Sequence, residues 1–470
     1  MRALLINPWI YDFSAFDLWM KPLGLLYIGA VLAQYGFEVN LLDCLDRYHP
    51  DLIKNGQNKP KGEKKYGCGN FHKEEIIKPD CLKDVTRQYS RYGLPIDSFV
   101  RELKKTPKPN VILITSMMTY WYPAVRDTVN ILRNMFGDTP IILGGVYAGL
   151  VPDHAEKTIN VDRIITGEGE NQVVAAVAKQ LGKDTAKFKE YASIDDYPLP
   201  AFHLLKTVRY LPVLTSRGCP FSCTFCASRL ISGSFRMRSP ESVIDEILFH
   251  HKKYSVRDFA FYDDALLVNK EQHIMPILEG LLAEDVRLRF HSPNGLSPAM
   301  IDDDTAEVLY KSRFKTVRLS LETIHPGRLK DMNEKVTVDE FTRCVDSLAK
   351  AGFKRKSLET YILYGLPRQS VEEVMSTIRF VESNGVKVRL AEFSPIPGTV
   401  EWERAVSDGE ISAEDDLLLT NKTLLPVRSK VFDWNTVEKL KKYTRNMNEE
   451  FENSDIHKSN VIILTSAHTL

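Results

Sequence analysis

Two series of short apolar runs, separated by amphipathic stretches, constrain the fold of this chain more than any other feature. The first holds "RALLIN" (2–7), "FEVNLLD" (37–43), "NVILITS" (110–116), "TPIILGG" (139–145) and "DRIITGEGE" (162–170). Helical patterns begin at Leu23, after Pro123 and beyond Glu170. Apolar strands alternating with helices predict an α/β fold with a parallel, doubly wound (Rossmann-like) sheet. Such a sheet takes ligands in the crevice beyond the carboxyl ends of its strands. The strand ends are small here: Ser116, Gly144, Gly145, Gly167 and Gly169. They either admit a ligand to the backbone or make tight turns, and each loop by itself permits both readings.

A second series follows "DDYPLPAFHLL" (195–205), whose prolines and polar flanks mark a linker. Its strands are "YLPVLTSR" (210–217), "DFAFYDD" (258–264), "VRLRFHS" (286–292), "KTVRLSLE" (315–322), "LETYILYG" (358–365) and "KVRLAEFS" (387–394), with helical segments such as 241–253 and 371–384 between them. Six such units predict a full or partial parallel βα (TIM-like) barrel with its chemistry on loops at the carboxyl ends of the strands. A chain of 470 residues exceeds one ordinary core. The boundaries read as 1–190 for the Rossmann-like domain, 191–207 for the linker, 208–400 for the barrel and 401–470 for an extension. In that extension "VEKLKKYTRNMNEEF" (437–451) predicts a surface helix and "NVIILTS" (460–466) an added strand.

Residues 46–108 interrupt the first series. "KNGQNKPKGEKKYGCGNFHK" is rich in Lys and Gly without apolar periodicity, which predicts mostly surface loop. "RQYSRYGL" (87–94) reads as a solvated segment with local helix, or as a docking surface. The spacing of Cys68, His72 and Cys81 matches no metal site, so free thiols are expected there.

Lys and Arg total 62 against 62 Asp and Glu, so no net charge draws the chain to nucleic acid or an acidic membrane. The most apolar longer run, 22–37, is short for a bilayer and carries Gln34, which predicts a buried helix. "MRALLINPWI" lacks a long apolar core and a cleavage site, and a cytoplasmic location is the expectation.

Three of the seven cysteines, Cys219, Cys223 and Cys226, stand in "CPFSCTFC" directly after the first strand of the second series. A structural zinc site wants a fourth ligand, for which His250, His251 or a distant group would have to serve. A redox dithiol would use Cys223 and Cys226 and leave Cys219 unexplained. An iron–sulfur cluster with three protein thiolates uses all three and keeps one iron open, and the spacing favours it.

This CxxxCxxC arrangement, with Phe225 before its last cysteine, resembles the radical S-adenosylmethionine (SAM) superfamily. The resemblance implies a 4Fe–4S cluster held by Cys219, Cys223 and Cys226, whose open iron binds SAM. A reduced cluster then breaks a carbon–sulfur bond of the sulfonium and yields a 5′-deoxyadenosyl radical. It implies a SAM cradle built from Phe225, Asp263, Asp264, Ser320, Glu322, Gly365 and Ile396. In "FYDDALL" (261–267), Asp263 and Asp264 replace the glycine-rich turn usual at that place.

The segments "KPLGLLYIGAVLAQYGFEVNLLD" (21–43) and "GGVYAGLVPDHAEKTINVDRIITGEGE" (144–170) are similar to the cobalamin-binding domain that precedes the barrel in one large radical SAM class. The implied cobalamin pocket comprises Leu23, Gly24, Ser116, Met117, Tyr120, Gly144, Gly145, Val146, Tyr147, Gly167, Glu168 and Gly169. The D-x-H-x-x-G motif is absent, since "DRYHP" (46–50) has one residue too many before His49. Base-off cobalamin without a protein histidine on cobalt is therefore expected, with Met117, Tyr120 and Tyr147 the side chains nearest its lower face.

The resemblance implies an enzyme that methylates an unactivated carbon of a small molecule or peptide, with electrons from a flavodoxin or ferredoxin. The alternative keeps both cofactors and cyclises, rearranges or hydroxylates its substrate. An RNA methylthiotransferase would usually carry three further cluster cysteines in its first domain, where this chain has scattered Cys44, Cys68 and Cys81. A non-catalytic sensor would not need an open iron.

Overall fold

The computed structural model describes residues 1–53, 60–182, 190–332, 335–425 and 432–453. The first domain is a five-stranded parallel sheet of β1 (Arg2–Asn7), β2 (Glu38–Asp43), β3 (Val111–Ile114), β4 (Ile141–Leu143) and β5 (Arg163–Ile164). Its order is β5-β4-β3-β1-β2, so the strand sequence reverses between β1 and β3, where an open α/β sheet leaves its ligand crevice. Both faces are covered, which is why β1 and β3 are buried almost throughout.

Helix α1 (Leu23–Gln34) is apolar on two faces because it is buried on two faces. Leu25, Val31 and Leu32 join Ala3 and Leu5 in the core of the sheet. Leu23, Leu26 and Tyr27 join Phe202, Leu211 and Val243 in the core of the second domain. One helix thus welds the two domains.

The second domain is a six-stranded parallel sheet in strict sequence order: β6 (Leu211–Val213), β7 (Asp258–Phe261), β8 (Arg289–His291), β9 (Phe314–Glu322), β10 (Leu358–Tyr364) and β11 (Lys387–Glu392). It is the partial form of the barrel. On β7, Phe259 and Phe261 pack into the large core beneath the helices, while Ala260 packs with Tyr210, Trp19 and Cys68 on the opposite face. Trp19 stacks on His291 at 4.3 Å between centroids, and Tyr262 donates to Leu18 O at 2.6 Å. Segments of the first domain therefore fill one face of the barrel sheet.

That packing corrects the expectation for residues 46–108. The strand Ser90–Tyr92 pairs with Ile10–Asp12 and with Lys73–Glu75, helix α2 (Ile96–Lys105) lies on the first sheet, and Cys68, Phe71, Tyr89, Tyr92, Leu94 and Phe99 are buried. Their apolar residues are scattered among Lys and Gly and show no period. Partners far away in sequence bury them rather than a continuous amphipathic face. The cysteines there are free thiols.

The extension also packs inward. Leu417 and Leu418 enter the core of the first domain, and the helix Trp434–Asn453 sends Val437, Leu440 and Met447 into the core of the second. The strand expected at 460–466 lies outside the described residues. Among the described residues no helix is long and apolar enough to cross a membrane.

Candidate functional site

The cysteine loop springs from a short antiparallel ladder in which Ser216 and Arg217 pair with Met237 and Arg236. Gly218 turns the chain at φ +77°, and a Cβ there would lie 2.8 Å from Ser234 O, so this position requires glycine. Cys226 N donates to Cys223 O at 3.1 Å, which curls the three thiols to one side of the loop, each within electrostatic reach of the other two. Burial pushes the Cys219 thiol up and the Cys223 thiol up to about 11, and the Lys335 ammonium opposes both shifts. Among the described residues no three His, Cys, Asp or Glu side chains converge on one metal ion.

Asp263 does not face open space. Its carboxylate is 2% exposed and accepts from Thr215 N at 3.0 Å, Thr215 Oγ1 at 2.7 Å, and Ser216 N and Oγ at 2.6 Å each. His273 Nε2 stands 2.9 Å from Thr215 Oγ1. The expectation that Asp263 lines the SAM cradle is corrected: its lone pairs are spent fixing the root of the cysteine loop. Asp264, by contrast, keeps accessible surface, and desolvation lifts its carboxyl to about 6, opposed by a hydrogen bond with Ser228.

Glu322 closes β9 in the left-handed region, at φ +66°, where the register with β10 shifts between Ser320 and Glu322. A non-glycine residue held there marks a locally over-determined site. Burial lifts its carboxyl to about 7, opposed by Lys335. Ser320 is buried against Gly295, where a Cβ would meet its Oγ at 1.9 Å. Gly365 turns at φ +84° and donates its N–H to Gln369 Oε1 at 2.8 Å. Phe225 packs with Leu363, Leu366 and Phe393 at the ends of β10 and β11, and Ile396 O accepts from Thr399 Oγ1 later in the same loop. Phe225, Asp264, Ser320, Glu322, Gly365 and Ile396 thus all belong to the carboxyl-terminal rim of the barrel.

Several rim residues carried no sequence signal. Lys335 lies 5.6 Å from the ring centroid of Phe221 inside the cysteine loop. Asn294 Nδ2 donates to Tyr262 O and Asp263 O, at 3.0 and 3.1 Å. Thr224 Oγ1 donates to the buried Glu401 at 2.8 Å, tying the cysteine loop to the helix Val400–Ser407. Only the cysteine spacing could have pointed to a binding loop here, and spacing says nothing of residues a hundred positions away.

Across the crevice, the carboxyl ends of the first sheet carry the other expected residues. Ser116 Oγ donates to Gly144 O at 2.8 Å, and a Cβ on Gly145, at φ +93°, would lie 2.2 Å from Ser116 O. The two loops therefore interlock as backbone. Met117 and Met118 are 37% and 43% exposed, while Gly24 and Gly167 have open space where a Cβ would stand. Gly169 abuts Ile28, and Val146 is half-buried. Three expectations are corrected. Leu23 is buried in the interdomain core, because α1 packs on the barrel. Tyr147 is fully buried, its hydroxyl 2.8 Å from His154 Nδ1. Tyr120 is 3% exposed. Of the three side chains expected beneath the cobalt, only Met117 reaches the surface. Glu168 turns its carboxylate to Arg236 and not to the crevice.

Comparison with known proteins agrees with both halves. Residues 213–381 match the radical SAM superfamily model and residues 83–177 the B12 binding domain model, the latter beginning inside the interrupting segment. The chain is 27% identical over 349 residues to an uncharacterized methyltransferase of Pyrococcus horikoshii, covering 67% of this chain and 74% of that protein. It is 22% identical to the cytidylyl-2-hydroxyethylphosphonate methyltransferase of Streptomyces wedmorensis, covering 88% and 84%. Its fold is similar to that of TsrM, a radical SAM methyltransferase of Kitasatospora setae, with a TM-score of 0.63 at 15% identity over 88% of this chain and 79% of that one. It is also similar to the cobalamin-dependent radical enzyme OxsB, with a TM-score of 0.55 at 13% identity over 95% and 61%. With a three-cysteine loop on the first barrel strand, this chain joins a domain matched by the radical SAM superfamily model to an amino-terminal domain matched by the B12 binding domain model, and those two domains imply a 4Fe–4S cluster, SAM and cobalamin as cofactors.

Proposed function

We propose that the protein methylates an unactivated carbon, with Cys219, Cys223 and Cys226 holding the cluster and the crevice of the first sheet holding cobalamin. The observation that carries this reading is the placement of the two loops: the glycine-rich loop after β5 lies directly against the ladder that launches the cysteine loop. A methyl carrier and a radical generator would share one water-poor space. The relatives named above as methyltransferases support methyl transfer over cyclisation.

When bound, the cluster and SAM supply a deoxyadenosyl radical and cobalamin supplies the methyl group. The chain's own residues orient and exclude water. Asp264, which hydrogen-bonds Ser228, and Glu322 are the acidic groups on the rim that would suit the SAM ammonium, and Lys335 would suit its carboxylate. Ser320, Gly365 and Ile396 supply backbone and hydroxyl contacts for the nucleoside. Met117, exposed at the end of β3, would offer cobalamin an apolar surface. His154, which follows the loop at Gly144–Tyr147, is engaged with Tyr147, which supports the base-off, histidine-off state. The substrate is a small molecule or peptide, the electron donor is of the flavodoxin or ferredoxin class, and the setting is the cytoplasm.

The test is anaerobic reconstitution with iron, sulfide, SAM, cobalamin and a reductant over a substrate library. A product heavier by one methylene, formed with 5′-deoxyadenosine, is the expected outcome. Deoxyadenosine with an isomerised or dehydrogenated product would replace methyl transfer by the second reading. Nitrogen hyperfine splitting on cob(II)alamin would contradict the histidine-off state.

A further inference from the structure

Two carboxylates and two guanidiniums join the loops that carry the two cofactors. Glu168 and Glu170 belong to the loop that follows β5 and begins at Gly167, where φ is +71° and a Cβ would meet nothing. Arg217 stands two residues before Cys219, and Arg236 is its partner across the antiparallel ladder. Arg236 grips Glu168 with both Nη atoms, one at 3.0 Å, in a bidentate pair. Arg217 Nη2 meets Glu170 at 2.5 Å, and its Nη1 lies 3.9 Å from Glu168. Glu170 is 3% exposed, and the Arg217 guanidinium lies between the rings of Tyr27 and Tyr197, at 5.2 and 5.1 Å. The hydroxyl of Tyr197, from the interdomain linker, reaches Glu168 at 3.5 Å.

A fork-shaped donor meeting a planar acceptor fixes direction as well as distance, which a lone lysine would not do. The arginines root in the ladder, and Gly218 ties that ladder to the first cysteine with no slack. The carboxylates root in a loop closed on itself by Gln172 Nε2, which donates to Thr166 O at 2.9 Å and to Glu168 O at 2.7 Å, so the loop moves as a unit. The ion pairs therefore hold one loop against the other.

We propose that Glu168 and Glu170 are positioning residues: by their pairing with Arg236 and Arg217 they set the separation between cobalamin and the iron–sulfur cluster. The inference rests on the seat of cobalamin given above. It takes Glu168 out of the list of cofactor contacts and gives it a different task. Removing the charges should leave each cofactor its own binding groups, yet let the loop after β5 drift from the cluster.

The experiment uses full-length protein loaded with cluster and cobalamin and reduced so that both are paramagnetic. Magnetic coupling between two such centres falls with the inverse cube of their separation and does not depend on turnover. The variant Glu168→Gln with Glu170→Gln should keep its iron and cobalamin content, and each centre's own spectrum, while losing the resolved coupling of the unaltered protein. The swapped pair Glu168→Arg with Arg236→Glu should regain coupling that either single change abolishes, and it decides the matter if the double amide variant fails to fold. Unchanged coupling in a fully loaded double variant would overturn the proposal. Loss of cobalamin alone from that variant would also overturn it, making the carboxylates part of the binding site. Failure of the unaltered protein to take up cobalamin would instead strike the proposed function.

Discussion

At the residue scale, aspartates at neighbouring positions have opposite tasks. Asp263 accepts from four donors on Thr215 and Ser216, whereas Asp264 stays exposed beside Ser228. Truncating Asp263 to Ala would leave those donors buried without acceptors, a loss of about 3 kcal/mol. Urea unfolding of the Asp263→Ala protein should show that loss together with reduced iron content; unchanged stability with weakened SAM binding would return Asp263 to the cradle. His250 gives a pH-dependent counterpart. Neither ring nitrogen makes a hydrogen bond, although Nε2 stands 3.9 Å from Glu246; Phe202, Phe249 and Tyr254 box the ring in, and burial, reinforced by Lys253 and Arg238, pushes it down to about 4. Because the unfolded chain takes up this proton near its ordinary value of about 6.5, stability is full above that pH. It is lost as pH falls from there to about 4, by up to ~3 kcal/mol. Denaturation at pH 7.5 and 5 should show a smaller difference for His250→Leu than for the unaltered chain.

At the element scale, the interrupting segment behaves as an internal wedge. Arg47, 2% exposed, pairs with Asp17 at 3.0 Å and donates to Asn70 O at 3.1 Å and Gly67 O at 2.7 Å. Asp17 in turn accepts from Tyr210 at the start of the barrel. Replacing Arg47 by Met would strand the Asp17 carboxylate in the interior, at a cost of about 3–5 kcal/mol. Limited proteolysis should then cut near Lys64 and Lys65, which the unaltered protein resists; equal resistance would mean that the segment is held by its apolar contacts alone.

At the scale of the whole molecule, the chain closes on itself twice. Helix α1 joins the domains at the start, and residues 416–421 return from beyond the barrel to the first domain. Tyr122 donates to Asp416 at 3.0 Å, and Asn421 Nδ2 donates to the buried Asp12 at 2.9 Å. Leu417 and Leu418 complete the apolar core there, and truncating each to Ala should cost about 2–5 kcal/mol. We expect one cooperative calorimetric transition for the unaltered protein and two for the Leu417→Ala, Leu418→Ala variant. A single transition in both would assign the coupling to α1 and the arginine–glutamate bridge.

The sequence by itself determined most strands of the two sheets and the loop that carries the three clustered cysteines. Strand and helix periods are local properties, so the runs at 2–7, 110–116 and 358–365 stand where they were expected, and the spacing of Cys219, Cys223 and Cys226 is local too. Only the tertiary structure decided which polar residues are free. Asp263 and Asp264 are chemically alike and adjacent, and only the approach of Thr215 and Ser216, nearly fifty positions earlier, separates them. Tyr147 lost its place at the crevice to His154, Glu168 turned to Arg236, and Lys335 arrived from a loop without any motif. A hydrogen bond or ion pair is spent on whichever partner the fold brings within about 3 Å, and that choice is made by packing between distant segments.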